Sequence, residues 1–114
     1  MDGTPDAEVN TAQDATLLDV STRKAVFAAL RPALDALAAE AGTDARLRPD
    51  ARRVLRAVTR THPEDTLALA DLAARASTPK TRIPPALHEL ETCGYLARLN
   101  RIAPHLRRAL PPLT

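Results

Sequence analysis

Basic side chains are the most suggestive chemical feature of this 114-residue chain, because they concentrate in its second half. Residues 49–114 carry 11 Lys or Arg and six Asp or Glu, whereas the whole chain has a net charge of only +2. Two stretches contain basic charge alone: Arg75, Lys80 and Arg82 within residues 72–88, and Arg98, Arg101, Arg107 and Arg108 from residue 92 onward. This clustering indicates an anionic partner for the C-terminal part, and ordinary solubilising charge is the alternative.

The sequence lacks the patterns of a catalytic or metal site. His88 and Glu91 share a helical face and Cys93 follows closely, but these groups do not complete a metal site and nothing nearby supplies further ligands. The chain has three glycines and no glycine-rich phosphate loop, and neither Ser21 nor Ser77 stands in a nucleophile motif. We therefore expect no catalytic residue, no metal and no cofactor, and we interpret the protein as a non-enzyme.

Composition restricts the fold class and the kind of ligand. Of the 51 hydrophobic residues, 23 are Ala and 17 are Leu, while Val and Ile together number seven, and this balance favours helices. Phe27 and Tyr95 are the two aromatic residues, too few for a platform that stacks single-stranded nucleic acid. No uncharged run exceeds six residues, so we expect neither a membrane span nor a signal peptide. With the single Cys93 excluding an internal disulfide, a reducing cytoplasm is the expected location.

The N-terminal part divides into a tail and a helical segment. Residues 1–15 are polar and acidic without apolar periodicity, which predicts a disordered acidic tail. Residues 16–42 form the helical segment, in which apolar residues recur at spacings of three and four: Val26, Leu30, Leu34, Leu37 and Ala41. Gly42 stands where a helix C-cap is expected, and Pro32 predicts a kink or a second helix that begins after Leu30.

Residues 46–110 predict a domain that begins with three helices. The first starts near Pro49 and stops before His62, since a residue that precedes a proline tends to leave the helical region. The second and third carry apolar stripes that end near Ala76 and at Gly94. Beyond Gly94 the apolar period changes from about 3.6 to about 2 residues.

This change of period predicts a short β-hairpin. With a turn at Asn100 and Arg101, Tyr95, Ala97 and Leu99 face the same side as Leu106, Pro104 and Ile102. A last helix that begins at Pro104 and carries Leu106, Ala109 and Leu110 is the competing interpretation. The predicted fold class is thus mainly α with a small β-hairpin.

Three neighbouring segments resemble the winged helix-turn-helix regulators. They are residues 70–76 (ADLAARA), 77–83 (STPKTRI) and 87–96 (LHELETCGYL), and the match covers about residues 50–100. The apolar pair Leu72 and Ala73 and the LxxLxxxGYL run that ends at Leu96 are most similar to the MarR-like and related bacterial branches. The resemblance implies a winged helix-turn-helix domain, preceded by the N-terminal helical segment, that binds double-stranded DNA and regulates transcription.

The resemblance also implies where DNA is bound. In that family the start of the third helix enters the major groove, and the hairpin wing contacts a neighbouring phosphate or the minor groove. The implied DNA-binding residues are Thr78, Lys80, Thr81 and Arg82 before the third helix, Arg98 and Arg101 in the wing, and Arg53 and Arg56 on the first helix. Arg82 could read guanine and Lys80 could pair with phosphate.

The sequence departs from the family at Pro84 and Pro85, where the third helix should be in full course. Each proline inside a helix costs roughly 3 kcal/mol, whereas a helix restarting with Pro84 in its first turn avoids most of that cost. Lys80 and Arg82 then precede the helix on a loop or 3₁₀ turn. This departure favours two alternatives, a winged-helix module that holds a protein partner and an architectural DNA-associated protein without a specific operator.

The N-terminal helical segment carries more apolar surface than a three-helix core of this size needs. In MarR-like proteins a helix before the winged domain contributes to dimerisation. The resemblance therefore implies a homodimer whose interface includes Val26, Phe27, Leu30, Leu34 and Leu37. In the alternative arrangement, this helix folds back on its own domain.

Overall fold

The computed structural model describes residues 20–62 and 65–112, in which six α-helices follow one another. Their bounds are α1 (Val20–Gly42), α2 (Pro49–Thr59), α3 (Leu69–Arg75), α4 (Ile83–Thr92), α5 (Tyr95–Ile102) and α6 (Pro104–Ala109), with a 3₁₀ turn at Lys80–Arg82. These ranges contain no strand, so the mainly-α part of the predicted fold class is confirmed. The predicted acidic tail, residues 1–15, lies outside the described residues.

The prediction of a hairpin is wrong, and so is the prediction of the wing that this hairpin would have formed. α5 and α6 occupy the segment expected to form the two strands. Tyr95, Leu96 and Leu99 are all buried, which α5 achieves with i, i+3 and i, i+4 spacings, whereas a strand would have turned Leu96 away from the other two. A lone two-stranded hairpin is marginal in water, while a helix satisfies its backbone groups locally. The competing interpretation is confirmed, because α6 begins at Pro104.

Helices α2, α3 and α4 have the element order of a helix-turn-helix unit. Both α4 and α3 pack against α2. Val54, Leu55 and Val58 on α2 are buried with Leu72 on α3 and with an apolar stripe on α4: Ile83, Leu87 and Leu90. The turn between α3 and α4 includes Ser77 in the left-handed region, with a φ of 51°.

Helix α1 folds back onto its own chain. It is continuous from Val20 to Gly42 and passes through the exposed Pro32, so neither a break nor a second helix occurs there. Leu34 and Leu37 are 0% and 1% exposed, and α1 packs against α2 and α5. Among the described residues, no helix combines the length and the apolar character that crossing a membrane requires.

Two polar contacts fasten α5 to the end of α1 and the loop that follows. The Tyr95 hydroxyl donates to Asp44 Oδ2 at 2.8 Å, and Arg98 donates to both carboxylate oxygens of Glu40 at 2.6 and 2.8 Å. The Arg46 guanidinium and backbone N–H also donate to Asp44 and, with Tyr95, hold the pKa of that carboxyl well below its usual range. Gly94, with a φ of 87°, supplies the left-handed residue that joins α4 to α5.

Candidate nucleic-acid interface

A stripe of arginines covers the solvent side of α2. Arg53, Arg56 and Arg60, at i, i+3 and i+7, are exposed, whereas the opposite side of the helix carries the buried Val54, Leu55 and Val58. Helix geometry puts the three arginines within one narrow sector, because residues three, four and seven apart lie on the same face. The segregation of charge along α2 is therefore set by sequence spacing.

Arg75 at the C-terminal end of α3 extends this stripe across a surface depression. The depression has a volume of about 290 Å³ and is lined by Arg53, Arg56, Arg60 and Arg75, together with Ala57, Ala76 and Ser77. We call these four arginines the arginine cluster. No carboxylate of the described ranges lines this depression, so the charge of its lining is positive.

The turn between α3 and α4 holds Arg53 in place. Thr78 is 4% exposed, and its hydroxyl donates to Ala76 O at 2.9 Å and accepts from Arg53 Nε at 3.3 Å. Arg53 also pairs with Asp50 in the first turn of α2. Thr78 was predicted to contact DNA, but its hydroxyl points inward and orients the side chain of Arg53.

Arg75 is held more firmly still. Its Nη1 donates to Thr61 Oγ1 and to Asp65 Oδ2, both at 3.3 Å, and its Nη2 donates to the carbonyl of Thr66. Arg56 and Arg60, by contrast, make no ion pair with any residue in the described ranges. The depression therefore combines two guanidinium groups that are held by ion pairs with two that have no ion-pair partner in the described ranges and are available to an anion.

The basic residues before α4 lie on the 3₁₀ turn, as the proline spacing predicts. α4 begins at Ile83 with its prolines in the first turn. Arg82 pairs with Asp50 Oδ2 at 2.6 Å, so Asp50 joins the 3₁₀ turn to Arg53. Lys80 and Thr81 are exposed, and Lys80 has no ion-pair partner in the part of the chain that the structure describes.

Arg98 and Arg101 lie on α5, and neither of them lines the depression of the arginine cluster. α5 packs against α1, α4 and α6. Arg98 pairs with Glu40 and stands 5.4 Å from the centre of the Tyr95 ring, while Arg101 is exposed. Without a wing, the reason for expecting these two residues at DNA no longer holds.

The residues predicted for dimerisation are largely engaged within the chain. Leu34 and Leu37 belong to the core, and Val26, Phe27 and Leu30 are half-buried. The Phe27 ring meets the His105 ring edge-on at a centroid distance of 5.1 Å. This arrangement is the fold-back alternative, and homodimerisation stays a prediction.

The DNA-binding residues that the resemblance implied did not include Arg60 or Arg75, although Arg75 belongs to one of the two basic stretches. The i, i+3, i+7 spacing of Arg53, Arg56 and Arg60 could have identified the first, but only the folded position of α3 brings Arg75 to the same depression. Within the described ranges, no group of three or more His, Cys, Asp or Glu could hold a metal ion. Comparison with protein-family models, curated proteins and solved structures finds no match to this chain.

Proposed function

We propose that this protein binds double-stranded DNA through its phosphate backbone and regulates transcription through that binding. The observation that carries the proposal is the arginine cluster, four guanidinium groups around an open depression with no carboxylate in its lining. Guanidinium groups bind phosphate with parallel, charge-assisted hydrogen bonds and are weakly hydrated, so they suit this ligand better than lysine does.

The spacing of the cluster fits the repeat of a DNA strand. Arg53 lies on α2 and Arg60 follows directly after its last residue, so a rise of about 1.5 Å per residue places their backbone positions about 10 Å apart along the helix axis. About three phosphates of one strand occupy that length of duplex axis. Arg56, which lies between them on the same face, completes a row of three.

Shape and composition favour a duplex over other anionic ligands. The depression is open to solvent, and its lining includes no aromatic side chain on which an unpaired base could stack. The order of α2, α3 and α4 matches that of helix-turn-helix proteins, and the sequence resemblance to bacterial regulators supports transcription as the process.

A matched pair of double variants tests the proposal. Arg56→Ala/Arg60→Ala removes two exposed charges from the cluster, and Arg101→Ala/Arg108→Ala removes two exposed charges from α5 and α6. Binding to a labelled duplex is measured by fluorescence anisotropy over a series of salt concentrations. The first variant should bind more weakly and lower the slope of log K against log salt by about 2, since each phosphate contact contributes about 0.9.

The control variant should bind nearly as well as the unmodified protein, with an unchanged slope. Circular dichroism melts of both variants show whether the fold is retained. The proposal is wrong if the unmodified protein binds no duplex at about 50 mM salt, a condition that strongly favours phosphate contacts. It is equally wrong if the two double variants lose the same affinity, because the cluster would then have no special role.

A further inference from the structure

In helix-turn-helix proteins the second helix of the motif reads bases in the major groove, and α4 occupies that position here. Its residues include Glu89 and Glu91 but no Lys or Arg. The exposed side chains of α4 are Pro85, His88, Glu91 and Thr92. A helix in the major groove is flanked by phosphates on both sides, within the roughly 10 Å over which charges act at about 0.1 M salt. The carboxylate of Glu91 would be repelled there.

The start of α4 is also poorly equipped to approach DNA. Pro84 and Pro85 stand in its first turn and have no backbone N–H, so two of the donors that a helix start normally offers to phosphate are missing. Ile83 is buried, and Arg82 is held by Asp50. Glu89 is likewise engaged, because its Oε1 accepts from the backbone N–H of Arg48 at 2.9 Å.

The charge of these helices is therefore divided: α2 presents arginines, and α4 presents Glu91, whose carboxylate has no ion-pair partner within residues 20–62 and 65–112. We infer that the protein binds duplex DNA of any sequence, with α2 along a phosphate backbone and α4 outside the major groove. This inference rests on the proposed function and specifies its ligand. Contacts to phosphate position a protein on the duplex but carry no sequence information, so an α2-mediated complex does not select an operator.

Selection from a pool of random-sequence duplexes tests the inference directly. The unmodified protein should enrich no motif, and its Kd for AT-rich, GC-rich and mixed duplexes of equal length should agree within a few-fold. A protein that reads sequence prefers its site by about a thousandfold or more. An enriched motif that binds with such a preference overturns the inference.

Two variants of α4 add a second readout. His88→Ala/Thr92→Ala removes the exposed polar groups that could contact base edges and should leave Kd unchanged for every duplex. Glu91→Gln removes the repelled charge and should strengthen binding slightly and equally across the duplexes. Loss of affinity for one duplex only, in either variant, overturns the inference.

The outcomes separate this inference from the proposed function. If a sequence preference appears while Arg56→Ala/Arg60→Ala still weakens binding, the protein is a DNA-binding protein and sequence-independent binding is wrong. If no duplex binds, both are wrong.

Discussion

Asp44 is the residue through which the loop after α1 is tied to α5. It lies in the loop after α1, accepts from the neighbouring Arg46 guanidinium at 2.7 Å, and accepts from Tyr95 on α5 at 2.8 Å. These donors stabilise the carboxylate form and lower the pKa of Asp44 in the folded state. The unfolded chain, in which these contacts are lost, keeps a pKa near the ordinary value of about 3.9.

This difference predicts a pH-dependent contribution to stability. Because the folded pKa is the lower one, the contribution is complete above the unfolded pKa and is lost as the pH falls through about 4 toward the folded value. Asp44→Asn should therefore lower the melting temperature at pH 7 and should show a smaller further decrease between pH 5 and pH 2 than the unmodified chain.

Thermal melts followed by circular dichroism at each pH measure the effect. Asp35→Asn is the matched control, because Asp35 forms an exposed i, i+4 ion pair with Arg31 at 3.3 Å and such pairs contribute little. Equal effects of the two substitutions at every pH would show that the Asp44 contacts do not stabilise the fold.

For single residues, the sequence predicted which polar side chains face solvent but not which atoms these side chains contact. Arg53 and Arg56 were expected on the first helix of the domain, and both are exposed on α2. Thr78 carries a hydroxyl that could donate to a phosphate if it were exposed. It is buried instead, because the turn after Ser77 directs this hydroxyl to Ala76 O. A hydrogen bond within a turn depends on backbone geometry that residue type alone does not specify.

At the scale of elements, α5 shows why an apolar pattern can predict the wrong structure. Tyr95 and Leu99 are four residues apart. This spacing equals two repeats of a strand and about one turn of a helix, so it fits both structures. Leu96 distinguishes the two, because it is apolar where the strand pattern requires the outer face, and it is buried. The helices α2 and α4, with prolines at their first positions, were predictable since their start signals and apolar stripes agree.

The junction between α4 and α5 depends on a left-handed glycine. Gly94 has a φ of 87°, and a Cβ built there meets nothing within 4 Å, so Gly94→Ala should cost only backbone strain, about 1 kcal/mol of unfolding free energy. Gly42 in α1 has no such φ and equally open space, so Gly42→Ala should stabilise by about 0.5 kcal/mol.

Urea denaturation of the two alanine variants measures this difference. The pair is internally controlled, because each substitution adds one methyl group where there is room for it and only the backbone conformation differs. Equal free energies of unfolding would show that the α4–α5 junction does not require the left-handed conformation.

For the whole molecule, the main error of the sequence interpretation was the number of helices. A homodimer was expected because the N-terminal helical segment carries more apolar surface than a three-helix core needs, and because a helix before the winged domain contributes to dimerisation in MarR-like proteins. The chain instead forms α5 and α6, and α1 packs against α5 as well as against α2. Leu34 and Leu37 are buried in this packing, which corresponds to the fold-back alternative, and homodimerisation stays a prediction.

The net charge of +2 is the sum of an acidic N-terminal part and a basic C-terminal part. This division predicts an electrostatic effect of the N-terminal residues on DNA binding. Residues 1–15 contain Asp2, Asp6, Glu8 and Asp14 and no Lys or Arg, so their removal changes the net charge from +2 to +6. Deletion of residues 1–15 should therefore strengthen duplex binding at low salt. The gain should vanish as salt rises toward about 1 M, where the Debye length is about 3 Å.

A full-length variant with Asp2→Asn, Asp6→Asn, Glu8→Gln and Asp14→Asn separates charge from chain removal. If these acids compete with phosphate for the arginine cluster, the neutralised variant gains as much affinity as the deletion, as measured by anisotropy titration of the same duplex. A gain in the deletion alone would assign the effect to the bulk of residues 1–15. Unchanged affinity in both would show that the two oppositely charged parts of the chain act independently, and the affinity for DNA would then follow from the arginine cluster without modulation by the N-terminal acids.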